Sequence, residues 1–381
     1  MMISGRNDAM KGFNLTHWIL FMPFILNLVG CQPKEVTSAK IHIQNNNWDK
    51  AIGELESAVE AYPNNAEAHF LLGQAYGKKG LYKEMNKEFI TSLKISNNFE
   101  QEIAAEREWH WIGNYNAGIK AADNEKFQKA EALIVSAIII NPSKYEAHKK
   151  LAFIYQKTNE FEKAISVYNK LLEKRPNDVE LLLAVSSLYY QQQKFEKVVP
   201  FLNKVLEIEP QNRDALLNLA LSYDSLGQPS EATKLYQQAA EAYPLDKELV
   251  FLFGAHQYKL RNYKHAIQLF QQVLDLSPDD FGAISNIGNA YLSIAERERQ
   301  KLKPVNFNSN THSAEKIQHI KNNAILNYQK AIPYLERALE IQPNHPNLWR
   351  NLGVAYINSG DKEKGEQAFL KSEELKTIFS K

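Results

Sequence analysis

Few residues of this 381-residue chain have the types and spacing that chemistry needs. The first is Cys31, the single cysteine, which directly follows the apolar run FILNLVG. A thiolate is a nucleophile and a metal ligand, but one thiol forms neither an internal disulfide framework nor a multi-thiolate metal site. The second group is His312, Glu315 and His319, whose helical spacing would set three metal-capable side chains on one face. The simpler reading of that trio is a solvated polar face of an exposed helix. Third, Trp109 and Trp111 flank His110, and such aromatic residues read first as packing area at an irregular joint. No Gly-rich phosphate loop, H-E-x-x-H or G-x-S-x-G occurs. Acidic pairs such as Glu162 and Glu173 fit exposed helix faces, where charge is the default. The expectation is a chain that is not an enzyme and holds no cofactor or metal. The alternative is an enzyme or metal-dependent ligand-binding protein whose site lies around His312 and His319.

The charge balance narrows the partners. With 45 basic and 44 acidic side chains the formal net charge is +1, and no basic-aromatic stripe appears, so nucleic acid is an unsuitable partner. No stretch reaches the roughly 20 apolar residues that span a bilayer. The N-terminus instead reads as an address. Arg6 and Lys11 precede an apolar segment from Trp18 to Gly30, broken only by Pro23 and Asn27, and the chain turns polar after Cys31. Met10 is as plausible a start as Met1, because MKGFNLTHW makes the more typical positive flank.

The elements that must position any site come from a repeat. Pro142, Pro176, Pro210, Pro244 and Pro278 stand 34 residues apart, and Ala130, Ala164, Val198, Ala232 and Ala266 keep the same period. Phe127, Phe161, Phe195, Pro229 and Tyr263 form a third series in phase with these. Each period predicts a helix, a tight turn and a second helix that a proline closes. Gly73, Gly118, Gly254, Gly288 and Gly353 would let the two helices cross closely, and Tyr76, Tyr155, Tyr189, Tyr223 and Tyr291 would fill space between neighbouring pairs. Nine units are expected, starting near 32, 66, 111, 145, 179, 213, 247, 281 and 346. Two departures break the period. Residues 100–110 are extra and read helical, and Pro343 follows Pro278 by 65 residues, which implies a 31-residue insertion. That insertion, at about 296–326, predicts a projecting helical hairpin with a kink at Pro333.

In the last unit, Trp349, Leu352, Gly353 and Tyr356 match W-x2-L-G-x2-Y. The chain resembles the tetratricopeptide-repeat family over nearly all of residues 31–381. That resemblance implies an all-α, right-handed superhelical solenoid whose first helices line a concave groove for protein or peptide partners. Carried onto this chain, the groove positions are Tyr115, Lys149, Phe153, Tyr190, Leu217, Leu221, Phe251, Tyr258, Ser285, Asn289 and Arg350. Chaperone-binding relatives clamp a terminal carboxylate with Lys, Asn and Arg, but here only Lys149 and Arg350 have that character and they lie many units apart. The final helix has no successor to cover Leu375, Ile378 and Phe379, which leaves that end open either to bind a partner or to self-associate. Separately, Leu28-Val29-Gly30-Cys31 resembles the bacterial lipoprotein box. It implies that residues 1–30 are a signal peptide, that Cys31 carries lipid, and that the protein faces the periplasm. Gln32 after the cysteine favours the outer over the inner membrane. Joined, these readings give an envelope-anchored scaffold, of the kind that assembles pili, secretion channels or cell-wall complexes.

Overall fold

The computed structural model of the protein describes residues 32–302 and 311–379. The address segment through Cys31 lies outside the described residues, as does the side chain of His312. Among the described residues the architecture is wholly α-helical apart from one 3-10 turn. The chain divides into two compact units, Met1–Ala147 and His148–Lys381.

The first unit carries α1 (Lys34–Gln44), α2 (Trp48–Ala61), α3 (Ala66–Lys78), α4 (Tyr82–Ile95), α5 (Glu100–Asp123) and α6 (Phe127–Ile140). The unit boundary falls in the first turn of α7 (Tyr145–Lys157). The second unit continues with α8 (Phe161–Lys174), α9 (Val179–Gln191), α10 (Phe195–Ile208), α11 (Arg213–Ser225) and α12 (Pro229–Ala242). Then follow α13 (Lys247–Lys259), α14 (Tyr263–Leu276), α15 (Phe281–Gln300), α16 (Thr311–Ile341), α17 (Pro346–Ser359) and α18 (Lys362–Phe379). These are the nine helix pairs that the period predicts.

Local chemistry sets the ends. The second helices stop two residues before Pro63, Pro142, Pro176, Pro210, Pro244, Pro278 and Pro343, which cannot donate a helical hydrogen bond. Two residues beyond six of these prolines, Asn65, Asp178, Asn212, Asp246, Asp280 and His345 cap the next first helix by accepting its free backbone N–H groups. Within pairs the turn needs a left-handed residue. Gly80, Gly227 and Gly360 take it without strain, whereas Asn46, Glu125, Asn159, Gln193 and Arg261 occupy it at φ 54–61°.

Close crossing then forms the core. A Cβ on Gly254 would lie 2.8 Å from the fully buried ring of Phe270, and one on Gly73 2.5 Å from Phe89. Ala51, Ala130, Ala164, Ala232, Ala266 and Ala331 are fully buried at the equivalent crossings. From α11 to α17 the buried side chains form one continuous cluster rather than a core per pair. This continuity is the stabilising principle, because a single helix pair cannot hide its apolar face. Each large side chain buried there contributes about 1.5–3 kcal/mol.

The two departures from the period are both structural. The extra residues lengthen α5 to 24 residues. His110 and Trp111 are buried there, but Trp109 is 62% exposed, with the Lys78 ammonium 4.2 Å from its ring, so only part of the expected plug packs. The insertion lengthens α15 and α16 to 20 and 31 residues, and α16 remains helical through Pro333. Rather than projecting freely, the base of this extension packs back. Ala295, Ala324 and Tyr328 form a small core with Leu292 and with Val354 of α17, and Arg299 donates to Asn358 of α17 at 2.8 Å. At the C-terminus Leu375 is buried, contrary to the expectation of an uncovered side chain, while Ile378 is 57% exposed.

Candidate protein-binding face

The second unit lays its first helices side by side, and most steps are joined by a specific contact. Lys149 of α7 pairs with Glu180 of α9. Tyr190 of α9 and Asn218 of α11 line one small depression. Arg213 of α11 donates to Asp246 and Glu248 at the start of α13, both at 2.6 Å. Tyr258 of α13 meets Ser293 of α15 at 3.1 Å, and Asn351 of α17 donates to Asn289 of α15 at 2.8 Å. These hydrogen bonds align polar and aromatic tips along one row of helices.

The expected groove positions separate into several environments. Phe153 is the open aromatic, 37% exposed, with the ammonium groups of Lys150 and Lys157 4.9 and 5.5 Å from its ring. Tyr190 is half-buried, edge-on to Phe195 at 5.3 Å. Phe251 is half-buried against the central cluster, and Leu221 packs at the margin of the same cluster. Ser285 is also half-buried and donates to the Gly282 carbonyl. Leu217 is 7% exposed and belongs to the core, so it packs the unit instead of lining a groove. Position along the helix could not separate it from Leu221, because both lie near the boundary between the buried and open arcs. Arg350 is exposed on α17. Tyr115 lies in the first unit, half-buried and stacked on Trp111 at 4.6 Å, and burial and then Glu146 push its phenol pKa up.

The structure brings Tyr258 and Asn289 together with residues that the repeat pattern does not single out. They line a cleft of about 910 Å³ with Ser293 and Asn351, walled by Arg297 on the extra turns of α15 and Tyr328 of α16. Its other wall is the α13–α14 turn, which contributes Arg261. Burial raises the Tyr328 phenol pKa, while the hydrogen bond from Arg299 pulls the other way. The signal for this cleft was in the sequence, because the insertion adds helix beyond Tyr291. Which side chains would face each other across it depends on packing.

The metal reading gains nothing from the described side chains. His319 lies 3.1 Å from the Asn323 amide, Glu315 is exposed, and no group of three metal-capable side chains gathers among the described residues. Among those residues no helix is long and apolar enough to cross a membrane.

Among curated proteins none matches this chain. Solved structures similar to it include the MamA protein, at 18% identity over 52% of this chain and 92% of that one, with a TM-score of 0.41. YrrB, described as a TPR protein with an unusual peptide-binding site, shares 18% identity over 55% of this chain and 91% of its own, with a TM-score of 0.42. A tetratricopeptide repeat protein from Parabacteroides merdae ATCC 43184 shares 16% identity over 70% of this chain and 93% of its own, with a TM-score of 0.46. Sequence models of the tetratricopeptide repeat match residues 121–188, 189–251 and 327–372. Two further models of the repeat match residues 39–80 and 66–99. With more than half of the chain matched and nine helix pairs in register with the period, the chain belongs to the tetratricopeptide-repeat family, a family of protein-interaction scaffolds.

Proposed function

We propose that this protein is a lipid-anchored scaffold that holds protein partners on the first helices of its second unit while Cys31 tethers it to the outer membrane, facing the periplasm. The observation that carries the binding half is the series of ion pairs and hydrogen bonds linking α7 to α9, α11 to α13, α13 to α15 and α15 to α17, with Tyr190 and Asn218 lining one depression between α9 and α11; Phe153, Tyr190, Tyr258 and Asn289 all lie on this row of first helices. Half-buried aromatic side chains on a rigid support make good docking groups, since little side-chain entropy is lost when a partner covers them. The anchoring half rests on the Leu28–Cys31 pattern and on the positive flank and apolar segment before it. Several acyl chains, at about 0.8 kcal/mol per buried methylene, would hold such a protein durably. A tethered adaptor of this kind suits assembly of an envelope machine, whether a pilus, a secretion channel or a cell-wall complex.

Two experiments test the halves separately. Crosslinking in the native cell, followed by identification of attached proteins, should yield specific partners that a folded F153A/Y190A/Y258A variant captures at least about tenfold less. Equal capture by that variant would remove the face from consideration. Labelled fatty acid should appear on the wild-type chain and not on Cys31→Ser, and label retained by Cys31→Ser would refute the anchor.

A further inference from the structure

The cleft beside the insertion has a charge pattern that the near-neutral chain conceals. Two carboxylates stand among its lining residues and those of an adjoining depression of about 480 Å³, and both are already engaged. Glu296 accepts from the Tyr328 hydroxyl at 3.2 Å and lies 3.7 Å from Arg299, while Glu298 pairs with Lys301 at 2.5 Å. Arg261 and Arg297 line both hollows and have no hydrogen-bonding or ionic partner for their guanidinium groups among the described residues. Lys264, in the adjoining depression, is likewise unpaired there. With both carboxylates paired elsewhere, the three unpaired cations leave the local field positive.

The cleft also has hydrogen-bonding groups for a backbone. Asn289 and Asn351 spend one donor and one acceptor on each other. In either orientation of the two amides, one N–H-bearing and one carbonyl group remain, the complement of a peptide's C=O and N–H. Guanidinium groups match carboxylates bidentately, which a lone ammonium does not. One arginine position depends on a departure from the regular repeat, and the other uses the ordinary turn between paired helices. Arg297 lies on helix that exists only because α15 is extended, and Arg261 holds the left-handed turn position at φ 61°, where glycine is the relaxed choice.

We propose that this cleft binds an extended acidic peptide segment of a partner protein, with side-chain carboxylates on Arg261 and Arg297 and the backbone on Asn289 and Asn351. The proposal rests on the protein-binding reading above and specifies the partner's chemistry at one end of that face. It also gives the insertion a purpose, since the added turns of α15 supply one wall and one of the two guanidinium groups.

The test is fluorescence anisotropy on the purified full chain with a capped, labelled Glu-rich hexapeptide and its Gln counterpart. The acidic peptide should bind at least about tenfold more tightly than the neutral one, and binding should weaken as salt rises from 50 to 500 mM. Arg261→Gly, which removes the guanidinium while relaxing the turn, and Arg297→Gln should each weaken it by at least about fivefold. Lys234→Gln, on the far helix α12, should leave it unchanged. Equal affinity for both peptides, or full binding by both arginine variants, would overturn the proposal. Displacement of the acidic peptide by millimolar inorganic phosphate or by a short oligonucleotide at lower concentration would also overturn it, in favour of a phosphate-reading site. The broader reading is judged independently. If the acidic peptide fails to bind while F153A/Y190A still lowers partner capture, the face stands and the cleft assignment falls.

Discussion

His110 shows how one side chain can couple this scaffold to pH. It is 4% exposed on α5, and its Nε2 has no hydrogen-bond partner, because Glu106 stands off at 3.6 Å. Burial holds its pKa below the ordinary histidine value, with Glu106 opposing and Lys78 reinforcing that shift. The folded chain therefore takes up a proton less readily than the unfolded chain, whose histidine titrates near about 6.5. Stability is complete above that value and declines as pH falls through it toward the depressed folded value. Hydrogen exchange of α3 and α5 amides, corrected for intrinsic rates, should show weaker protection at pH 5.5 than at pH 7.5. His110→Phe should remove most of that difference, and a variant that keeps the full difference would assign it elsewhere. The histidine's role was only half legible in the sequence. Its aromatic neighbours marked a packing joint, but Trp109 and Trp111 are one turn-fraction apart on a helix, and only packing decided that Trp111 goes in and Trp109 stays out.

At the scale of elements, the repeat is held in register by its N-caps. Asp246 caps α13 by accepting from the Glu248 and Leu249 amides, and it also accepts from Arg213 of α11 at 2.6 Å. The Arg213 hydrogen bond, and then the backbone amides, hold the Asp246 carboxyl below the usual carboxylate range against the cost of burial. A depressed acid stabilises above its unfolded pKa of about 3.9, and that contribution is lost as pH falls through the folded value. Asp246→Ala should cost about 1 kcal/mol in urea unfolding at pH 7. Asp246→Asn should cost less, since an amide oxygen still caps but no longer meets the guanidinium as a full charge. If Asp246→Asn is as stable as the wild type, the charge facing Arg213 adds nothing beyond the cap; if the two variants are equally destabilised, the loss belongs to that charge and not to the cap. Helix starts and stops were readable from the sequence because proline and Asx chemistry acts within three residues. The cross-helix partner of the cap was not, because Arg213 is 33 residues away.

Taken as a whole molecule, the second unit stores its stability along a line. Leu335 of α16 is fully buried and sits against Gly288 of α15, where a Cβ would approach it to 2.9 Å. Leu335→Ala should cost about 2–5 kcal/mol through lost burial and a residual cavity. In a stacked array that loss stays with the affected pair and its neighbours. Exchange protection should fall in α15, α16 and α17 and persist in α9 and α10. A uniform loss across the unit would instead indicate one all-or-none core. The same linear design explains how a 31-residue insertion is accommodated: it lengthens one pair and packs locally on α17, without interrupting the cluster that runs from α11 to α17.

The number of helix pairs, the ends of their helices and the residues at their crossings were determined by sequence alone. Each is set by contacts within one period: a proline that cannot donate, a capping side chain two residues later, and a glycine where Phe270 leaves no room for a Cβ. Which surface residues face one another was decided only in the tertiary structure. Leu217 and Leu221 share a helix and a residue type, yet one is core and the other marginal. Arg261 and Arg297 are 36 residues apart in the chain, and they line one cleft only because α15 outgrows its repeat and packs on α17. Periodicity reports what every unit shares, whereas the shape of this cleft comes from the place where one unit differs from the rest.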